Sequence, residues 1–362
     1  MTAWVVMCIS VGMSAPPGQA EVLDISAVVD ATAVQFTHDE VTLVDRETLE
    51  VSAGQTGSAI ASIEDLGVLG GIPLATATSA VFFQDPFTPG PPGKFLGEFG
   101  GELLAVMLDT HTHQEVTGDV FESRRIRVTA PEAGAPLGSQ VGVTGEMYLH
   151  GAALLWWEGP EQEIDGLEEV EALIGFEIEL EQEGQEPLFV LSGAIEVQGL
   201  AGSQVRVTTT GAFEESDTVP LDLSEDFPEL GTVHLVMFPQ VLLPYAYSVT
   251  VGETYDLTGR LRLKGTTIPD YVGVAITAGG APEYLADTLD LLYESDLGTR
   301  LQQRVAEELG RFPEPEEPVL DFEQLAGACA PVGAEAVGLL GLLGWASLTA
   351  GGRSMVRRRL ML

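Results

Sequence analysis

Leu257-Thr258-Gly259-Arg260-Leu261-Arg262-Leu263-Lys264-Gly265 sets apolar and charged residues in alternation. A period of two sends successive side chains to opposite sides of an extended chain, so Leu257, Leu261 and Leu263 face a core while Arg260, Arg262 and Lys264 face water. The same nine-residue form recurs at Val143-Thr-Gly-Glu-Met-Tyr-Leu-His-Gly151 and at Leu191-Ser-Gly-Ala-Ile-Glu-Val-Gln-Gly199. Its shared pattern is aliphatic, Ser or Thr, Gly, three residues, aliphatic, any residue, Gly. A longer echo joins Gly138-Ser-Gln-Val141 to Gly202-Ser-Gln-Val205. The offsets between copies, 48 and 66 residues, are unequal, which argues against a solenoid of fixed period. Each copy reads as a strand of similar surroundings, with its interior Gly where the sheet bends and its closing Gly in a turn.

The same alternation appears in Ile126-Arg127-Val128 and Val205-Arg206-Val207-Thr208. Clusters of Gly, Pro and Asp punctuate it, at Asp85-Pro86, Pro89-Gly90-Pro91-Pro92-Gly93, Ala133-Gly134-Ala135-Pro136 and Glu183-Gly184-Gln185-Glu186-Pro187. Short strands separated by regular turn signals predict a mainly β body over 21–281, built as an antiparallel β-sandwich. It is either one large sandwich or two small ones divided near 195. The stretch 164–180 begins at helical spacing (Leu167, Val170, Ile174) and then alternates through Phe176-Glu-Ile-Glu-Leu180, so a short helix or loop running into a strand is expected. Beyond residue 281 the period changes. Pro282 suits a helix start, Leu285, Leu289 and Leu292 share a face, and Leu297, Leu301, Val305 and Leu309 recur every four residues before Gly310. This predicts amphipathic helices over 282–311, followed by an extended Pro/Glu spacer over 312–328.

Both ends carry apolar segments. Residues 3–13 (AWVVMCISVGM) form a short apolar core leading to Pro16-Pro17 and Gly18-Gln19-Ala20, which places small residues at −3 and −1 of a cleavage site. Residues 1–20 therefore read as a secretory signal, although no Lys or Arg precedes the apolar core. Cleavage there removes Cys8 and leaves Cys329 as the single cysteine, so no intrachain disulfide is expected. At the other end, 329–362 opens on Cys329-Ala330-Pro331, continues through 17 uncharged residues (336–352) and closes on Arg353, Arg357, Arg358 and Arg359. As a helix the uncharged stretch spans about 26 Å, close to the ~30 Å of a bilayer's hydrocarbon core. Flanking arginines orient the C-terminus toward the cytoplasm and leave the body outside it.

This order of signal, external body, short motif, Gly/Leu-rich span and terminal arginines resembles the C-terminal sorting signals of bacterial surface proteins, the PEP-CTERM class handled by exosortases and the cysteine-containing MYXO-CTERM class. Pro313-Glu314-Pro315 lies too far ahead of the span for the PEP-CTERM pattern, whereas Cys329 and Pro331 occupy the motif position, which favours the cysteine type. The resemblance covers about a tenth of the chain. It implies that a sorting protease cuts the tail near Cys329; alternatively the tail stays as an ordinary transmembrane helix.

The net charge is −39, and all 55 acidic residues fall between Glu21 and Glu335, with only Lys94, Lys264 and ten arginines among them. Repulsion on this scale favours a soluble, monomeric body and excludes nucleic acid as a partner, because phosphate contacts need Lys and Arg. Divalent cations remain compatible, though no EF-hand loop is present.

The chemistry-bearing candidate is Asp109-Thr-His111-Thr-His113-Gln-Glu115. On a strand, Asp109, His111, His113 and Glu115 would project from one face, a donor set that suits zinc, copper or iron. The plainer reading is a polar outer face followed by a turn at Thr117-Gly118-Asp119. Trp156-Trp157 could offer a sugar-stacking platform, but neighbours on a strand point oppositely, and core packing explains them better. No Gly-x-Ser-x-Gly elbow and no Gly-rich phosphate loop occurs. The expectation is a secreted, cell-surface-anchored protein with a structural or adhesive role. The alternatives are a metal-binding module or metal-dependent enzyme using His111 and His113, and a module binding surface glycans.

Overall fold

Residues 257–265 lie within a strand that runs from Thr254 to Thr266 at the centre of a sheet, with Leu257, Leu261 and Leu263 buried and Arg260 and Arg262 exposed. The computed structural model describes residues 19–37, 40–52, 56–65, 72–83, 97–107, 112–129, 136–157, 164, 166–200, 204–268, 272–278, 285, 289 and 296–309. Its strands are β1 (Gln19–Thr37), β2 (Glu40–Ser52), β3 (Thr56–Asp65), β4 (Ile72–Phe83), β5 (Gly97–Met107), β6 (Thr112–Thr129) and β7 (Gln140–Trp157). They continue with β8 (Glu171–Glu181), β9 (Phe189–Leu200), β10 (Gln204–Gly211), β11 (Val219–Asp222), β12 (Thr232–Thr250), β13 (Thr254–Thr266) and β14 (Val272–Ala278). Helix α1 (Leu297–Leu309) follows, and all these elements belong to one compact unit that ends at Leu309.

The strands form two seven-stranded antiparallel sheets, ordered β10-β9-β8-β13-β6-β1-β2 and β11-β12-β7-β14-β5-β4-β3. The two orders run in step: β10–β11, β7–β8, β13–β14, β5–β6 and β2–β3 each join equivalent places in the two sheets. Strand β9 runs through residue 195, and strands from both sides of that position enter both sheets. Strand β1 begins at Gln19, so Gln19 and Ala20 of the expected leader pair with Thr129 and Val128.

Two buried clusters hold these layers. The first draws on both sheets, with Val29, Val120, Ile126 and Leu261 from one and Leu155, Trp157, Phe238 and Ile276 from the other. The second lies on the far face of the second sheet, where Leu154, Trp156, Leu235, Met237 and Ala275 meet Leu285, Leu289, Leu297, Leu301 and Val305. Strands β7, β12 and β14 are therefore covered on both sides where the helical residues lie. This explains why Ala152–Trp157 and Val272–Ile276 read as apolar runs rather than alternations. The expected helical periodicity holds for α1, and Leu285 and Leu289 are also helical and buried. Residues 164–180 resolve into a 3-10 turn at Leu167–Glu169 followed by β8. Among the described residues no helix is long and apolar enough to cross a membrane, and the tail 329–362 lies outside them.

Two sequence expectations are corrected. The closing glycines of the repeated nonapeptide do not sit in turns: Gly151, Gly199 and Gly265 all lie within strands. At two of them another group crosses the strand closely. A Cβ on Gly151 would fall 2.4 Å from the Phe238 ring, and one on Gly199 would fall 2.6 Å from the Leu167 carbonyl oxygen. Likewise Thr117-Gly118-Asp119 is no turn, because β6 runs unbroken through it with Gly118 buried. A glycine flanked by Thr and Asp reads locally as a turn, but pairing with β1 and β13 on both sides holds the strand straight.

A tight crossing also occurs at Gly273, where the Trp156 indole lies so close that an added Cβ would stand 2.1 Å from Cζ2. Gly273→Ala should therefore lower stability by about 1–3 kcal/mol, the cost of overpacking a filled core. Gly142→Ala, with nothing within 4 Å, should change it little. Urea unfolding of the two variants checks the contrast.

Candidate functional site

The outer face of the first sheet carries most of the described cationic side chains. Asp30 on β1 and Asp119 on β6 stand directly opposite each other in register, a repulsive arrangement taken alone. Cations on either side relieve it. Arg46 on β2 donates to Asp30 through Nε at 2.9 Å and Nη2 at 2.7 Å, and the Thr48 hydroxyl adds a bond at 2.6 Å. Arg260 on β13 donates to Asp119 through Nε at 2.9 Å, and Arg262 approaches the same carboxylate at 3.3 Å. Further along, Arg125 pairs with Asp256, and Lys264 lies between Glu115 at 3.8 Å and Glu171 at 3.5 Å. The result is an ionic ladder across β2, β1, β6, β13 and β8.

The charges perturb one another accordingly. Partial burial raises the Asp30 pKa, but bonds from Thr48, Arg46 and Thr32 outweigh that and hold it below the ordinary carboxylate value. The Arg260 guanidinium is held above its usual value chiefly by its bonds to Asp119. These pairs are partly exposed, so water screens each of them and none contributes much alone. Because most of these cations are engaged by carboxylates, the face is cross-linked rather than poised to take up an anion.

The described part of the expected metal stretch, from Thr112 onward, opens β6 on this face. His113 and Glu115 project from it together, as strand alternation predicted. The His113 ring stacks flat on Phe36 of β1, with centroids 4.5 Å apart and planes at 4°, and Glu115 is drawn toward Lys264. Asp109 and His111 lie outside the described residues, as do Cys329, Pro331, Arg357, Arg358 and Arg359. Among the described residues no three His, Cys, Asp or Glu side chains converge as a metal site. Trp156 and Trp157 are both buried and point to opposite cores, so neither forms a sugar platform. Asp222, Ser224 and His234 also fall near one another, since Asp222 pairs in register with His234. Their bonding is that of a fastened turn: the Ser224 hydroxyl donates to Asp222 at 2.6 Å and accepts from the Val233 N–H at 3.1 Å.

The sequence reading missed the inner face of β6. There Glu122 and Arg124 are buried between the sheets, with Arg124 Nε 3.6 Å from Glu122 Oε1. Gln114, also fully buried, is tied through its backbone to Thr267, whose N–H donates to the Gln114 carbonyl at 3.0 Å. The signal was available, because Gln114, Glu122 and Arg124 fall in phase with Val116, Val120, Ile126 and Val128.

No family model matches the chain, and no curated protein matches it. Among solved structures, infectious bursal disease virus Gx strain aligns over 81% of this chain and 78% of that chain, at 12% identity and a TM-score of 0.09. The VP2 subviral particle of infectious bursal disease virus aligns over 72% and 65%, at 9% identity and a TM-score of 0.09. Scores this low establish no likeness of fold.

Two outcomes follow from the buried groups. Glu122→Ala should destabilise the protein by about 3–5 kcal/mol by removing a buried carboxylate that faces the Arg124 charge, whereas replacing both with apolar residues of similar volume should recover most of the loss. Denaturant titration measures both. Burial holds the His150 pKa below its ordinary value. The folded state then binds fewer protons than the unfolded state, so stability is complete above pH ~6.5 and declines as pH falls below it. His150→Asn should flatten that decline in melts recorded across the range.

Proposed function

We propose that this is a secreted, cell-surface-anchored protein whose β-sandwich body serves a structural or adhesive role in the envelope or extracellular matrix. The observation that carries this reading is the way the chain leaves the body. Helix α1 lays Leu297, Leu301 and Val305 on the second sheet, and two arginines fasten it to the turn before β12. Arg300 reaches Glu229 at 2.8 Å with its guanidinium 4.9 Å from the Phe227 ring centroid, and Arg304 reaches Asp226 at 3.2 Å. The helix ends at Leu309, just ahead of Phe312-Pro-Glu-Pro315, and the cysteine, the Gly/Leu span and the terminal arginines follow. A body pinned at its exit, then an acidic Pro/Glu stretch, then an apolar segment is the layout of a tethered ectodomain. The charge of −39 supports the same reading, since it keeps such a body off anionic lipid and nucleic acid.

External protease applied to intact cells should degrade the body, and deletion of 329–362 should release it into the medium. A body protected inside the cytosol in both forms overturns the proposal. Cys329→Ala decides between processing and retention of the tail: an accumulating longer form indicates cleavage near Cys329. Metal analysis of the protein with and without His111→Ala is the competing arm, and stoichiometric zinc, copper or iron lost on substitution replaces this reading with a metal-dependent one.

A further inference from the structure

Strands β2 and β3 follow one another in sequence and end the two sheets at the same rim, β2 in the first and β3 in the second. Among the described residues no ladder of main-chain bonds joins them. Instead the Ser62 N–H donates to Asp45 Oδ2 at 2.7 Å, and the Ile60 N–H donates to Glu47 Oε2 at 2.6 Å. Moving two residues forward on β2 moves the partner two residues back on β3, which is the register of an antiparallel pair. The carboxylates thus stand where the carbonyls of a neighbouring strand would be.

The strand so covered has the composition of an aggregation-prone edge. Thr56-Gly-Ser-Ala-Ile-Ala-Ser-Ile63 contains no charge and no proline in a chain otherwise crowded with acid. Ile60 is partly exposed on it, while Ala59, Ala61 and Ile63 are buried on its other face. Flat, neutral edge strands with outward N–H groups are templates for another chain. A two-fold pairing of β3 centred on Ile60 would set Ser58 against Ser62 and bring no two charges together. The corresponding pairings of β2 would oppose Asp45 and Glu47 carboxylates, so that strand protects itself.

We propose that Asp45 and Glu47 are edge guards: by occupying two outward amides at the middle of β3 they deny that edge to a second copy of this chain. The ladder on the opposite side of β2 orients it for this, since Arg46 turns to Asp30 while its neighbours at 45 and 47 turn to β3.

The test uses the full chain in mild detergent, at about 0.5 M salt, where the Debye length of about 4 Å suppresses general repulsion. In dilute protein, Asp45→Ala with Glu47→Ala should raise amide exchange across 56–65 at least about tenfold, the effect of losing a charge-assisted bond. In concentrated protein the same variant should form dimers or larger species by light scattering, with exchange slowing again as they form. Asp45→Asn with Glu47→Gln keeps acceptor oxygens in place and should stay monomeric. Glu40→Ala with Glu50→Ala removes the same charge from the same strand and should also stay monomeric. The proposal falls if the alanine variant remains monomeric, or if either control associates as readily. It also falls, whatever the variants do, if Ile60 and Ser62 amides in the parent exchange at unprotected rates.

Discussion

Trp156 and Trp157 are neighbours on β7 that face opposite ways, and the architecture depends on both directions being covered. Trp157 enters the core between the sheets, and Trp156 enters the core beneath the helical residues. Burying one large aromatic side chain is worth roughly 1.5–3 kcal/mol, so leaving either in water would forfeit an appreciable part of a domain's net stability. The neighbouring sequence accommodates both. Gly273 lets the Trp156 indole lie against β14, and Gly151 lets the Phe238 ring cross β7. A two-layer structure would strand half of this apolar surface, and the helical residues after β14 supply the third layer.

Electrostatics constrain the rest. With so few cations available, their placement is informative. Those on the first sheet bind strand to strand, Arg300 and Arg304 bind the helix to the turn before β12, and Arg124 is placed in the interior beside Glu122. The surplus of carboxylates has a use as well: two of them satisfy backbone amides at a rim where no strand does so. An acidic composition therefore acts locally, as a supply of hydrogen-bond acceptors, besides acting globally through repulsion.

Much of the fold was legible. The alternation in Leu257–Gly265 and in Ile126-Arg127-Val128 gave strands with the correct buried face, and the four-residue spacing of Leu297, Leu301 and Val305 gave the helix. What local reading could not supply were consequences of tertiary contact. Gly118 and Gly151 resemble turn residues until pairing partners and a crossing Phe238 are in place. The charges at Glu122 and Arg124 lay in phase with valines and isoleucines, a pattern overlooked because charged residues are seldom placed inside. Of the proposed metal donors, alternation set His113 and Glu115 on one face, but it could not foresee that the first would stack on Phe36 and the second turn to Lys264.

The position of α1 at the end of the body has a mechanical consequence. Any pull arriving through the chain beyond Leu309 would act first on the last helical turn and peel Val305 away before Leu301 and Leu297. Each residue stripped from the helix and drawn straight would lengthen the chain by about 2 Å, so the whole element would yield some 25 Å of slack while both sheets kept their registers. The helix would re-seat once the strain passed.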